Sequence, residues 1–147
     1  MAYQEMLTQL YSRARFGIRP GHGRVQQILS SLGDPQRHLR SIHIIGTNGK
    51  GSVAAMTEAA LRGCGIRTGL FTSPHLSSYT ERIKVCGEEI SHEELAGLTE
   101  EVGRASEALP GWHADRPTEF EMCTAICLEH FRRRGVELAV MEVGLGG

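Results

Sequence analysis

The chain has 147 residues, of which 40% are hydrophobic and 22% are charged, and its formal net charge is -1 at pH 7. This length and composition predict a globular protein with one buried core, and the near-neutral charge gives no strong field that would indicate binding of nucleic acid or anionic lipid. No apolar run approaches the roughly 20 residues of a membrane-spanning helix, and the first residues lack the apolar region and cleavage site of a signal peptide. We therefore expect a cytoplasmic protein with no nucleic-acid and no membrane partner.

The N-terminal part predicts two helices separated by a loop. Residues 3–16 place apolar side chains at helical spacing, and a second helix begins near Val25 and is stopped by Gly33-Asp34-Pro35. Residues 16–23 contain three glycines and a proline, which are typical of a loop.

A strand, a helix and a second strand follow. Residues 42–45 and 67–72 predict short strands, and the small residues at 52–62 predict a helix between them. Because a helix joins the two strands, we expect a βαβ unit in which they pair in parallel.

The remaining sequence predicts a hairpin, two helices and a last strand. Residues 82–86 alternate in polarity and form the hairpin with residues 88–90. Capping boxes begin at Ser91 and Thr118 and predict helices that extend to about residues 109 and 134. Residues 137–143 predict the last strand. The whole pattern predicts an α/β fold with an open, mostly parallel sheet flanked by helices, and its functional loops should follow the C-terminal ends of the strands.

The four cysteines predict reduced thiols, because they form no Cys-x-x-Cys pair and no secretory signal precedes them. Cys123, Cys127 and His130 have a spacing that permits a metal site on one helix face. The alternative, which we favour because no fourth ligand is evident, is that both cysteines are small buried hydrophobic residues.

The stretch Gly46-Thr-Asn-Gly-Lys-Gly-Ser52 is the strongest functional signal in the chain. It lies between a predicted strand and a predicted helix, where backbone N–H groups can bind an anion and Lys50 adds a positive charge. It departs from the usual pattern G-x-x-x-x-G-K-[ST], because Ile44 replaces the first glycine and Gly51 separates the lysine from the serine. A plain strand-to-helix turn is the alternative, but such a turn needs one glycine rather than three.

Polar residues also follow two other predicted strands. Ser73 comes after the second strand and Glu142 lies at the end of the last one. Because a hydroxyl and a carboxylate are hard oxygen ligands, the pair could hold Mg²⁺ beside a nucleotide. We expect Ser73 Oγ and the Glu142 carboxylate to approach one point near the glycine-rich loop.

Four separated motifs together resemble one known family. GTNGKGS, the segment TSPHLSSYTERIKVCGEEIS, the TEFE of residues 118–121 and the final EVGLGG occur in an order that resembles the N-terminal region of folylpolyglutamate synthase and dihydrofolate synthase, which belong with the Mur ligases. The resemblance covers the chain from about residue 12 to its end. It implies a Mur-ligase-like ATP-binding domain and identifies the unusual glycine loop as a family variant.

The resemblance also implies site residues and a reaction. Thr47, Asn48, Gly49, Lys50, Gly51 and Ser52 would bind the phosphates of ATP, with Lys50 in the catalytic role. Ser73 and Glu142 would bind Mg²⁺. The side that binds the pterin substrate would include Gly17, His22, Arg24, Thr118, Glu119, Phe120 and Glu121. The reaction implied is ATP-dependent joining of L-glutamate to a folate or dihydropteroate carboxylate through an acyl phosphate.

The end of the chain predicts that further sequence follows in a parent protein. The chain ends on Glu142-Val-Gly-Leu-Gly-Gly147, and two glycines after a predicted strand are an unusual place for a domain to stop. In the family, another magnesium-binding histidine, a carbamylated lysine, the adenine pocket and a glutamate-binding domain lie further along. We therefore expect residues 1–147 to be the N-terminal part of the ATP-binding domain, inactive alone, and the parent to be a monomer.

Two other functions stay open from the sequence. One is a Mur-type amide ligase that acts on a UDP-sugar peptide precursor, although that family usually has threonine where this chain has Gly51. The other is a phosphate-loop protein that binds nucleotide without catalysis. Whether the parent makes dihydrofolate, extends polyglutamate tails or does both is also open.

Overall fold

The fold is described from a computed structural model, in which the described residues are 2–14, 21–112 and 114–144. The helices in this part of the chain are α1 (Tyr3–Ala14), α2 (Gly23–Ser31), α3 (Lys50–Gly63), α4 (His92–Glu107) and α5 (Glu119–Arg133). The strands are β1 (Arg40–Ile44), β2 (Thr68–Phe71), β3 (Ile83–Val85), β4 (Glu88–Glu89) and β5 (Leu138–Glu142). Short 3₁₀ helices occupy Pro35–His38 and Tyr79–Arg82. None of the helices in these described ranges is both long and apolar enough to cross a membrane.

The strands form a five-stranded sheet with the order β1-β5-β2-β3-β4. Strand β5 pairs in parallel with both β1 and β2, whereas β3 pairs antiparallel with β2 and β4. The predicted α/β class, the mostly parallel sheet and the hairpin are confirmed. The expected direct pairing of the first two strands is wrong, because β5 lies between them.

The position of β5 follows from its side chains. Ala139 and Val140 in its middle are buried, and an uninterrupted apolar run is typical of a parallel strand covered on both faces. The sequence of β1 alternates between more and less exposed positions, as expected for a strand at the edge of a sheet. Ile45, which the sequence placed in β1, lies beyond the strand and is 71% exposed.

The chain divides into two compact units, each described here separately. The first comprises Met1–Arg37 and His92–His130, and the second comprises His38–Ser91 and Phe131–Gly147. In the first unit, α1 and α2 pack against α4. In the second unit, α3 packs on the parallel strands, and Ala54, Leu70 and Val140 form a buried cluster with Ile44 and Leu61 at its border.

Two predicted helix ends have the expected geometry. At the start of α5, the N–H of Thr118 donates to Glu121 Oε2 (2.8 Å) and the N–H of Glu121 donates to Thr118 Oγ1 (3.2 Å). This reciprocal pair is the predicted capping box. After α5, Gly135 has a φ of 66°, which is the left-handed conformation that ends many helices.

Candidate active site

The glycine loop connects β1 to α3 in the second unit. Gly49 directly precedes α3 and has a left-handed φ of 74°, which glycine adopts without steric cost. Among the residues that the structure describes, none accepts a hydrogen bond from the N–H groups of residues 46–49. These N–H groups and the first N–H groups of α3 are therefore available to an anionic ligand.

Lys50 is the first residue of α3, and its side chain folds back toward the start of the loop. A Cβ atom built on Gly46 would lie 3.8 Å from Lys50 Cγ, so the aliphatic part of the lysine passes over the loop backbone. Within the described ranges, no carboxylate pairs with its ammonium group. The positive charge is thus available to a bound phosphate.

Strand register brings Glu142 and Ser73 together beside this loop. Glu142 is opposite Ile44 at the end of β1, and its neighbour Met141 is opposite Phe71 at the end of β2. The N–H of Ser73 donates to Glu142 Oε2 (3.1 Å). A Cβ atom on Gly51 would lie 3.5 Å from the same oxygen. Glycine at position 51 therefore leaves the space next to this carboxylate oxygen without a side chain.

The oxygens at this point fit Mg²⁺ by their chemistry. Glu142 Oε1 and Ser73 Oγ have no hydrogen-bond partner in the described part of the chain. Carboxylate and hydroxyl oxygens are hard ligands, and Mg²⁺ usually combines one or two protein oxygens with phosphates and water. By their chemistry, Ser73 and Glu142 could hold such an ion.

In the first unit, Arg24, Glu121 and Asp115 form a charged cluster that the sequence only partly indicated. Arg24 Nε donates to both carboxylate oxygens of Glu121 (3.1 Å each), and its Nη1 donates to Asp115 Oδ1 (3.2 Å). The hydrogen bond with Glu121 is the main cause that raises the pKa of Arg24 above its ordinary value. Asp115 was missed, because it is 91 positions from Arg24 and no local pattern marks it.

The other residues predicted to bind substrate have varied positions. Glu121 also accepts the N–H of Thr118, so its carboxylate is largely used inside the protein. Phe120 is 40% exposed and Thr118 is buried. His22 is exposed and Glu119 partly exposed. Gly17 lies outside the described residues.

The sequence also missed Glu81, which organises the loop after β2. Its carboxylate accepts hydrogen bonds from the N–H groups of Leu76, Ser77 and Ser78. The Ser-x-x-Glu spacing that marked the other capping boxes also occurs at Ser78 and Glu81 and could have identified it.

The cysteines show no sign of a metal centre. Cys123 and Cys127 are completely buried, and burial raises the pKa of the Cys127 thiol well above its usual value. In the described ranges, no group of three or more histidine, cysteine, aspartate or glutamate side chains could hold a metal ion.

These features define an α/β phosphate-loop domain with a hydroxyl and a carboxylate at adjoining strand ends. No protein-family model matches the chain. It is 40% identical to the dihydrofolate synthase/folylpolyglutamate synthase of Bacillus subtilis, over 99% of this chain and 34% of that protein.

Solved structures are similar over the same extent. The folylpolyglutamate synthase of Mycobacterium tuberculosis complexed with ADP has a TM-score of 0.91 and 37% identity, covering 99% of this chain and 32% of that one. A folylpolyglutamate synthase complexed with AMPPCP and folate has a TM-score of 0.90 and 39% identity, covering 100% of this chain and 36% of that one.

The chain is homologous over its whole length to the folylpolyglutamate and dihydrofolate synthases. The resemblance drawn from the four sequence motifs is thereby confirmed. The chain spans about a third of the length of these relatives.

Proposed function

We propose that the chain contributes the phosphate-binding part of an ATP-dependent ligase that joins L-glutamate to a folate or dihydropteroate carboxylate. The observation that carries this proposal is the position of Ser73 and Glu142, which meet beside Gly51 of the glycine loop. Similarity to folylpolyglutamate synthases solved with ADP, or with AMPPCP and folate, supports both substrate classes. Residues 1–147 would be the N-terminal part of a Mur-ligase-like ATP-binding domain.

In the first chemical step, the substrate carboxylate attacks the γ-phosphorus of ATP, which yields an acyl phosphate and ADP. Negative charge moves onto the phosphate oxygens, where the loop N–H groups and the Lys50 ammonium stabilise it. Mg²⁺ held by Ser73 and Glu142 would supply further charge neutralisation when bound. The glutamate amine then attacks the activated carbonyl and releases phosphate.

On the substrate side, the residues of the first unit divide into two roles. Arg24 and Glu121 bond to each other, so we assign them to holding the start of α5 and the start of α2. Phe120 is 40% exposed and is the better candidate for direct contact with an aromatic pterin, together with Thr118, Glu119, His22 and Gly17. These roles refine the sequence prediction, which gave all of these residues direct binding.

The setting that we propose for the reaction is the one expected from the sequence. All four cysteines are free thiols, which supports a reducing compartment. We propose a monomeric cytoplasmic enzyme.

The test is ADP release by the complete natural protein in which this chain occurs. Dihydropteroate, tetrahydrofolate and a UDP-sugar peptide are each supplied with ATP, Mg²⁺ and the matching amine substrate. Release that depends on dihydropteroate or tetrahydrofolate together with glutamate supports the proposal and decides which acceptor is used. Release only with the UDP-sugar peptide assigns the protein to the Mur-type alternative. If the protein binds nucleotide but releases no ADP with any acceptor, it is a non-catalytic nucleotide-binding module.

A further inference from the structure

The loop after β2, residues 72–82, is named here the Ser73 loop. Its second half contains the buried ring of Tyr79. Leu76 is 95% exposed, and Pro74 and Ser77 are also exposed. The first half of the loop therefore has no buried apolar side chain to order it. Hydrogen bonds order this first half instead.

Glu81 supplies the largest group of these bonds. Its Oε1 accepts the N–H of Ser77 (2.8 Å) and of Ser78 (2.7 Å), and its Oε2 accepts the N–H of Leu76 (2.9 Å). These three backbone hydrogen bonds lower the pKa of Glu81 to about 2. One ionised carboxylate therefore ties three consecutive residues, and charge-assisted bonds of this kind are stronger than neutral ones.

Arg82, the next residue, contacts three other residues of the Ser73 loop. Its Nε donates to Nδ1 of His75 (2.8 Å), and its guanidinium carbon lies 4.6 Å from the centre of the Tyr79 ring. Its backbone carbonyl accepts the N–H of Thr72 (3.0 Å), directly before Ser73. Because a guanidinium group only donates, Nδ1 of His75 must be the unprotonated nitrogen.

A third connection joins the loop to the hairpin. The hydroxyls of Ser78 and Thr80 are hydrogen-bonded (2.8 Å), and Thr80 Oγ1 donates to Glu89 Oε2 in β4 (2.6 Å). Both halves of the Ser73 loop are thus anchored without any ligand.

We propose that Glu81 and Arg82 are positioning residues that hold the Ser73 loop in the conformation in which Ser73 meets Glu142. They act through Thr72, His75 and the three bonded amides rather than by touching the nucleotide. The inference rests on the proposed function only for the identity of the ligand, which is Mg²⁺ with an ATP analogue. The loop conformation itself can be tested separately.

The experiment compares four variants of the complete natural protein. Glu81→Gln removes the charge that ties residues 76–78, and Glu88→Gln makes the same change at an exposed hairpin residue with no side-chain hydrogen bond among the described residues. Arg82→Lys keeps the charge but removes the Nε donor and the planar group, and Arg40→Lys is its control on the exposed edge strand. Hydrogen exchange measures the loop, and calorimetry measures binding of AMPPCP with and without Mg²⁺.

The expected results are specific to the loop and to the metal. Exchange of the amides of residues 76–78 becomes faster in Glu81→Gln, while exchange in α3 is unchanged. In Glu81→Gln and in Arg82→Lys, affinity for the Mg²⁺ complex of AMPPCP falls by about tenfold, as is usual when residues that support metal ligands are removed. Affinity for AMPPCP without Mg²⁺ stays the same. Both control variants behave like the wild type. The proposal would be overturned if the loop amides of Glu81→Gln exchanged at the wild-type rate. It would also be overturned if the variants lost AMPPCP affinity equally with and without Mg²⁺.

Ser73→Ala separates this inference from the proposed function. If Ser73→Ala leaves binding of the Mg²⁺ complex unchanged, the metal site is wrong. The positioning role of Glu81 and Arg82 is then judged on hydrogen exchange in the loop alone. If Ser73→Ala weakens binding and the Glu81 and Arg82 variants do not, the metal site stands and the positioning role is refuted.

Discussion

The glycine loop follows β1 and the Ser73 loop follows β2, and the two loops use their backbone N–H groups in opposite ways. In the described structure, the N–H groups of residues 46–49 have no acceptor inside the protein. In the Ser73 loop, three consecutive N–H groups are bound by a single carboxylate. The first loop leaves its donors to a ligand, whereas the second uses its donors to fix its own shape.

This difference assigns separate tasks to the two loops. Exposed backbone donors around glycines suit the close approach of a phosphate, so the glycine loop should supply binding and charge stabilisation. A loop ordered in advance can present Ser73 at a defined place without a further loss of conformational entropy on binding. Glu142 lies between them, bonded to Ser73 and close to Gly51.

The largest expected effect comes from removing the charge of the glycine loop. Lys50→Ala in the complete natural protein should lower the ligation rate by about 10² to 10³, as is typical when one preorganised donor to a transition state is lost. Circular dichroism and thermal unfolding should stay close to wild type, because Lys50 has no internal partner in the described chain. Near-normal turnover at saturating ATP would show that the lysine does not serve the phosphate.

The next prediction concerns the stability of the sheet that carries the two loops. A Cβ atom at Gly69 in β2 would lie 2.8 Å from the ring of Phe131, so Gly69→Ala should lower the free energy of unfolding by about 1–3 kcal/mol through overpacking. Denaturant titration measures the change.

The matched control is Gly97→Ala in α4, where a Cβ atom meets nothing within 4 Å. It should raise the free energy of unfolding by up to about 1 kcal/mol, because alanine favours a helix. Equal effects of the two substitutions would mean that Phe131 moves aside at no cost.

A smaller effect is expected where the two loops meet. Glu142→Gln keeps the shape of the side chain but removes the charge that would face Mg²⁺. The Mg²⁺ concentration needed for half-maximal ATP turnover should rise by about tenfold or more, and acyl-phosphate formation should slow. Magnesium dependence equal to that of the wild type would exclude Glu142 from the site.

The smallest effect concerns the Ser73 loop and the pH dependence of the unfolding free energy. The pKa of Glu81 is lowered to about 2 from 4.5, so its ionised form stabilises the folded state. This contribution is fully present above the unfolded pKa and is lost as pH falls from about 5 toward 2. The difference in unfolding free energy between wild type and Glu81→Gln should therefore shrink over that interval, measured by denaturant titration at several pH values. A difference that is constant across it would mean that Glu81 does not hold the amides as a carboxylate.

Local sequence determined most of the elements of this protein. Helical spacing, the capping box at Thr118 and the glycine at position 135 predicted where helices begin and end, because these signals act over a few neighbouring residues. The order of four motifs also predicted the family, and the glycine loop was recognised despite its unusual spacing. Ranges were wrong by a residue or two at strand ends, where Ile45 proved to lie outside β1.

Only the tertiary structure decided which elements are neighbours and which side chains meet. The insertion of β5 between β1 and β2 depends on burial of a strand that is distant along the chain, and the pairing of Arg24 with Asp115 spans 91 positions. Such contacts result from packing rather than from local preference. For the same reason, Glu142 could be placed at a strand end from sequence, but its bond to Ser73 and its approach to Gly51 follow from the register of the folded sheet.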